Sequence, residues 1–499
     1  MSRNKVVFLS IALVLMLALS SLAPVVAQGE DALLVWADEQ RVQVIQELGE
    51  EFEAEFGIPV EVTQIGAGDA RDQLLVAGPV GEGPDILVIA HDHIGQLVAN
   101  GAIVPMDLTG FEEDFTPAAL NLLTYQGEIW ALPYAYENIA LIRNTDLVPE
   151  APTTWEEVRE ISEEIAESGE AQYGFLLQTG DAYHNYPVVS AFGGYIFGVN
   201  DDGSFNISDI GFASEGAIEA AEWLEGMYAD GRMVPDIDSP LALELFEQGE
   251  LAMFLTGPWF SNELLEADVP VALSPVPGGV PFSGGQGFAI SAFSDNQLLA
   301  ETFLLDFVAT DETMQAIFDA DGRIPAWVNV DTSSNPLIAE FQDAGTQAVP
   351  MPAIPEMNSV WSAAGDALTL IANGGDGEEA FVTAADQIIA NIETAASGAI
   401  NSVTLVGSLQ DEAGCDGDWD PGCETTYMTD EGDGIWTITV TLPAGDYEYK
   451  VAMNADWAEN YGADGELDGA NIPLSISEET EITFTYDHNT NMISTSLDG

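Results

Sequence analysis

Basic side chains are almost missing: nine Lys and Arg face 85 Asp and Glu, and the formal net charge at pH 7 is -76. With no phosphate-neutralising patch to offer, the chain is excluded as a nucleic-acid binder. An anionic membrane surface repels it for the same reason. Cysteine is equally scarce, with only Cys415 and Cys423. A thiolate metal centre or a disulfide-built core is therefore excluded, and the pair reads as one staple across the polar loop "CDGDWDPGC". Histidine numbers four. His91 and His93 flank Asp92 without a third imidazole or thiol nearby in sequence, so a zinc site is not expected. No G-x-S-x-G elbow is present, and in so acidic a chain no carboxylate pair stands out as a glycosidase dyad. Calcium is open at Asp411, Asp416, Asp418 and Asp420, although their order departs from the twelve-residue calcium loop and solvated acids explain them as well.

What is present begins with an export signal. Arg3 and Lys5, the apolar stretch from Val6 to Leu22 and the small-residue end Val25-Val26-Ala27 predict cleavage after Ala27. A retained anchor is the alternative, disfavoured because the apolar core is short of the ~20 residues that span a bilayer. No later run is apolar enough to cross a membrane. The apolar fraction of 47% can still build sizeable cores, and the length implies two or three domains. Self-repulsion among the carboxylates points to a saline habitat, where salt screens it, or to an acidic one, where protons remove it.

Along the chain, an apolar strand ending in Trp36 precedes a helical pattern from Val42 to Phe56 that stops at Gly57-Ile58-Pro59, and Val60-Glu61-Val62 alternates like a strand. "PDILVIA" is a further strand, leading into a helix with Ile94, Leu97 and Val98 on one face. Thr154 with Glu157 three residues on makes a capping box ahead of the Trp155, Val158, Ile161 stripe. The last long helix closes at Ser397-Gly398. Beyond Asn401 only short β-rich runs remain, separated by turns, the pattern of a small antiparallel sandwich. The fold class expected is α/β, followed by an all-β immunoglobulin-like module over 402–499.

Aromatic residues in loop-like settings carry the functional signal. Trp259 in "TGPWF", Tyr183 and Tyr186 in "GDAYHNYP", Trp361 in "NSVWSAAG" and Tyr136 in "YAYENIA" stand beside Gly, Pro or polar residues. Flat rings next to carboxylates and amides suit sugars, whose C–H faces stack while their hydroxyls hydrogen-bond at the edge. Each ring alone is as well explained by core packing.

The segments "LLVWADEQ", "GEGPDILVIAHDHIGQLVANGAIVPMD", "FEQGELAMFLTGPWFSN" and "MPAIPEMNSVWSAAGDAL", in that order, resemble the maltose/maltodextrin type of extracellular solute-binding protein that serves an ABC importer. The resemblance implies two lobes closing over a sugar without catalysis or cofactor: an N-lobe of about 30–136 and 288–335 and a C-lobe of about 140–286 and 340–396, within 28–398. It carries Asp92, Glu137, Tyr183, Trp259 and Trp361 over as ligand residues. His93 stands where the family has an Arg, Asp181 replaces a Glu, Arg41 stands for an N-lobe Lys, and Gly365 replaces an Arg. The implied partners are maltose or malto-oligosaccharide and the permease subunits, with the protein monomeric and extracytoplasmic. Trehalose or sucrose is the alternative ligand, and an amylolytic fragment or a polysaccharide adhesin the alternative class.

Residues from about 402 to 496, with "VTLVGSLQDEAGCDGDWDPGC" and "DGIWTITVTLPAGDYEYKVAMNADWAENYGADG", resemble the X25-type β-sandwich that accompanies pullulanases. By analogy with starch-binding sandwiches, Trp457, Asn460 and Tyr461 are expected to form an external platform for starch or glycogen, with Lys450 donating a hydrogen bond.

Overall fold

The computed structural model describes residues 32–497 apart from 80, 201–202, 398–401, 416, 433 and 458. The expected export signal, the join at 398–401 and Asp416 lie outside the described residues.

The N-lobe is organised by a mixed sheet. Strand Leu33–Ala37 pairs in parallel with Val60–Gln64 on one side and Ile86–Ala90 on the other. The run Ile86–Ala90 is apolar almost throughout because helices cover it on both faces, as expected of a buried parallel strand. Phe282–Ser291 and Leu132–Asn138 continue the sheet antiparallel, with Ile324–Pro325 at its edge. Helix Glu39–Phe56 starts where Asp38 accepts from the Arg41 N–H at 3.3 Å and ends at Gly57. Its Phe52 ring packs edge-on against Phe303 and Phe307 at 5.3 and 5.1 Å.

A second sheet forms the C-lobe, in the order Val271–Ser274, Ala140–Asn144, Leu251–Thr256, Tyr173–Leu176. Helix Trp155–Ser168 lies over it. Thr154 caps that helix by accepting from the Glu157 N–H at 3.2 Å, and Trp155 buries its ring between Phe175 and Trp223. The helices Asn358–Ala372 and Gly377–Ser397 complete the lobe.

The chain passes between lobes at Ile139, where Leu132–Asn138 of one sheet leads into Ala140–Asn144 of the other. It returns between Ser274 and Phe282, earlier than the boundary near 286–288 expected above. All of Phe282–Ser291 pairs within the N-lobe sheet. Its stretch "GGQGF" lacks the alternating apolar signal that would mark the strand in sequence.

The C-terminal module is two antiparallel four-stranded sheets. One joins Val403–Gly407, Gly445–Met453, Asn460–Tyr461 and Ile472–Ile476; the other joins Thr429–Gly432, Ile435–Leu442, Thr480–Asp487 and Met492–Thr495. Their inner faces share a core of Leu405, Trp436, Tyr449, Val451, Phe484 and Tyr486, the layering of a sandwich. The Cys415–Cys423 disulfide staples the loop after Val403–Gly407. The architecture is thus a two-lobed α/β binding-protein fold followed by an immunoglobulin-like sandwich.

Candidate sugar-binding site

The carboxyl ends of strands Ile86–Ala90 and Leu132–Asn138 point at the gap between the lobes, where open α/β sheets place ligands. A cleft of about 510 Å³ lies there. Asp92 reaches it from the single turn His91–His93 directly after strand Ile86–Ala90. His91 fixes that turn: its Nδ1 accepts from the Gly285 N–H and its Nε2 donates to the Met351 carbonyl, both at 3.1 Å. This pair of bonds needs the neutral imidazole, and burial lowers the His91 pKa accordingly.

Glu137 comes from strand Leu132–Asn138. One carboxylate oxygen pairs with Arg323, and the other accepts from Gln286 Nε2 at 3.4 Å. Arg323 in turn donates to Asp321 at 2.9 Å and places its guanidinium 5.5 Å from the Trp259 ring centre. Behind them Arg41 pairs with both Asp321 and Asp38, so charges alternate from Asp38 through Arg41, Asp321 and Arg323 to Glu137. Burial opposes the charge on Arg323, but Glu137 and Asp321 outweigh it and its pKa is raised. The ladder fixes the direction of the Glu137 carboxylate.

The C-lobe supplies the rings. Trp259 sits in the turn Pro258–Phe260 at the end of strand Leu251–Thr256. Gly257 permits this, since a Cβ there would lie 2.1 Å from the indole. Tyr183 begins helix Ala182–Ala191, whose cap is Asp181, accepting from the His184 N–H at 2.8 Å. Its ring lies 6.3 Å from Trp259, and its buried hydroxyl has no partner among the described residues. Trp361 stands in the first turn of helix Asn358–Ala372. At Gly365, one turn further, a Cβ would come within 2.7 Å of the Gly180 carbonyl, so backbone fills the space where the related proteins' Arg was expected.

Asp92, Glu137, Asp181, Tyr183, Trp259 and Trp361 therefore line one cavity. Two expected ligand residues do not. Arg41 is buried, with its guanidinium between Asp38 and Asp321 and 5.0 Å from the Tyr134 ring centre, and serves the ladder. His93 is buried behind Asp92, 4.0 Å from its carboxylate, and burial lowers its pKa to about 4. Sequence reasoning missed Gln286, Arg323 and Met351, all of which line the cleft. Arg323 had a usable signal, as one of nine basic residues in the chain; Gln286 and Met351 had none.

The external platform expected on the sandwich is contradicted. Trp457 is 3% exposed and joins the apolar cluster of Ala70, Leu74, Leu75 and Val76 beneath the N-lobe sheet. Asn460 is buried, donating to the Trp457 carbonyl and to Asp468 and accepting from a buried Lys450. Tyr461 is buried, stacks on Tyr486 and donates to Glu459. Docking against the lobes and the needs of buried polar groups have claimed these residues. Of the candidate calcium acids, Asp420 accepts from Gly422 N–H, and Asp418 from Gln410 and Asp411 N–H; the loop backbone employs them.

Two lobes, a ring-lined cleft at the strand ends and carboxylates fixed for hydrogen bonding define a solute-binding protein. Residues 47–346 match the bacterial extracellular solute-binding protein family, and the chain belongs to it. Residues 402–493 match the pullulanase X25 domain. A galactooligosaccharide-binding protein of Bacillus subtilis is 30% identical over 384 residues, covering 73% of this chain and 90% of that one. A maltodextrin-binding protein of the same organism is 27% identical over 389 residues, covering 74% and 91%. The module alone is 48% identical over 93 residues to an amylopullulanase of Thermoanaerobacterium saccharolyticum, covering 18% of this chain and 7% of that enzyme. The protein is thus a solute-binding protein rather than an enzyme, with an X25 domain attached.

Proposed function

We propose that this protein captures malto-oligosaccharides outside the cytoplasmic membrane and delivers them, by lobe closure, to the permease subunits of an ABC importer. The observation that carries the reading is the pairing of three C-lobe rings, Tyr183, Trp259 and Trp361, with the N-lobe carboxylates Asp92 and Glu137 across one cleft. A linear glucan stacks its C–H faces on the rings and donates hydroxyls to the acids, while Arg323 and Gln286 donate to sugar oxygens. An anionic solute would meet three carboxylates, Asp92, Glu137 and Asp181, against one guanidinium. Because ring wall and acid wall belong to different lobes, the ligand contacts both only when they close, and it shifts the population toward the closed form. The maltodextrin-binding relative and the X25 match both favour α-glucans. Among the described residues no helix is long and apolar enough to cross a membrane.

The test is calorimetric titration in high-salt buffer with maltose, maltotriose, maltoheptaose, a galactooligosaccharide, trehalose and sucrose, repeated with Trp361→Ala. One-to-one binding of malto-oligosaccharides, weakened by at least about 2 kcal/mol in the variant, is expected. Binding confined to the galactooligosaccharide or another disaccharide would keep the closure mechanism and move the substrate. An unchanged dissociation constant in the variant would remove Trp361 from the site.

A further inference from the structure

A second cavity, of about 660 Å³, lies where the sandwich meets the two lobes. Its walls come from both lobes and the module: Arg71 and Gln96 on the N-lobe side, Trp361 on helix Asn358–Ala372 with Gln387 and Asn391 on helix Gly377–Ser397, and Tyr427 and Trp457 on the sandwich. Trp361 also lines the cleft, so the two cavities adjoin at one indole ring. Each is of a size that holds a bound small molecule.

The lining repeats the chemistry of the cleft, with aromatic rings set among amides and carboxylates. Its one guanidinium, Arg71, is held by Asp72 through bonds of 2.6 and 3.0 Å, so it offers little to an anion. The Trp457 indole N–H is buried and has no hydrogen-bond partner among the described residues, a donor unmet at the cavity wall. The sandwich is held in register with both lobes: Asp456 accepts from Gln96 at 3.3 Å on the N-lobe side and from Asn358 at 2.6 Å on the C-lobe side. The second cavity is therefore a built feature of the domain junction.

We propose that this junction is a continuation of the carbohydrate site, receiving the trailing sugar units of oligosaccharides too long for the cleft, so that the sandwich sets chain-length preference. The inference rests on the cleft binding linear glucans. It gives the module a role its buried Trp457, Asn460 and Tyr461 cannot fill as an external platform: part of a longer internal groove.

The experiment uses the full chain and compares maltotriose with maltoheptaose by calorimetry for the wild type, Tyr427→Ala and the double variant Gln387→Ala with Asn391→Ala. Gln387 and Asn391 are exposed on their helix, which keeps the second variant informative if loss of the half-buried Tyr427 disturbs the sandwich. Both variants are expected to weaken maltoheptaose about tenfold while leaving maltotriose within about twofold. Maltoheptaose affinity unchanged in both variants, or equal losses for the two sugars, would overturn the extension while leaving the cleft assignment standing. If neither sugar binds the wild type, the cleft assignment fails and the extension falls with it.

Discussion

At the scale of single residues, His93 shows how an expected ligand became a buried liability. Removing its ring from water holds it neutral and lowers its pKa to about 4, although the neighbouring Asp92 carboxylate pulls the other way. The unfolded chain takes up this proton near pH 6.5 while the folded chain refuses it until about pH 4. Stability contributed above pH 6.5 is therefore lost as pH falls, by about 2 kcal/mol at pH 5. In urea unfolding from pH 7.5 to 4.5, the stability of the wild type relative to His93→Gln should decline with acidity; parallel curves would contradict the assignment. The comparison matters because protonating the many carboxylates stabilises both proteins together. Motif resemblance picked out Asp92, Glu137, Trp259 and Trp361, all of which line the cleft, because each lies near a strand end or opens a helix whose signals are local. Arg41 and Arg323 were not separable that way. Which of two guanidiniums faces the cleft depends on the ladder through Asp321, a contact 280 residues distant from Arg41 in sequence.

Among the elements, the sandwich was the most legible as a fold and the least legible as a surface. Its strands alternate visibly, as in Thr480–Asp487 with Ile482, Phe484 and Tyr486 all buried inward. Nothing local reveals that Trp457 packs against helix Ala67–Ala77, because a docking face reads like any exposed apolar residue until its partner is placed. The disulfide loop beside this face contributes Asp420, Pro421 and Gly422 to the junction cavity. The bond closes a short loop, Cys415 to Cys423. Chain-entropy bookkeeping gives such a loop about 2 to 3 kcal/mol of stability. Replacing both cysteines by Ser should destabilise the module by that amount, read as a lower unfolding midpoint. If the junction is part of the sugar site, the replacement should also weaken maltoheptaose more than maltotriose. Chemical denaturation and calorimetry of the same variant read the two effects separately, and an unchanged unfolding midpoint would show that Gln410, which bonds Asp420 and Thr426, already fixes the loop.

For the whole molecule, charge is the property that no single site explains. Of the seven basic residues in the described region, Arg41, Arg143 and Lys450 are buried, and Arg323 is committed to Glu137 and Asp321. Arg159 and Arg232 are tied to Asp230 and Glu163, and Arg71 to Asp72. Almost the whole outer surface is thus left to carboxylates, which repel one another across the compact state and relax when it opens. At 0.1 M salt that repulsion reaches about 10 Å, and at 1 M about 3 Å, so added salt should stabilise the fold by shortening the range of the repulsion. The melting temperature is accordingly expected to rise steeply between 0.1 and 2 M potassium chloride. Because screening depends on ionic strength, sodium chloride should match it. Sugar binding through uncharged hydroxyls should change far less over the same range once the protein is folded at both ends of it. A melting temperature indifferent to salt would show that repulsion among the carboxylates does not limit the fold, leaving the acidic-habitat alternative to be tested by pH. In that case lowering the pH toward 5 should raise the melting temperature of His93→Gln above that of the wild type, which carries the opposing cost of its buried imidazole.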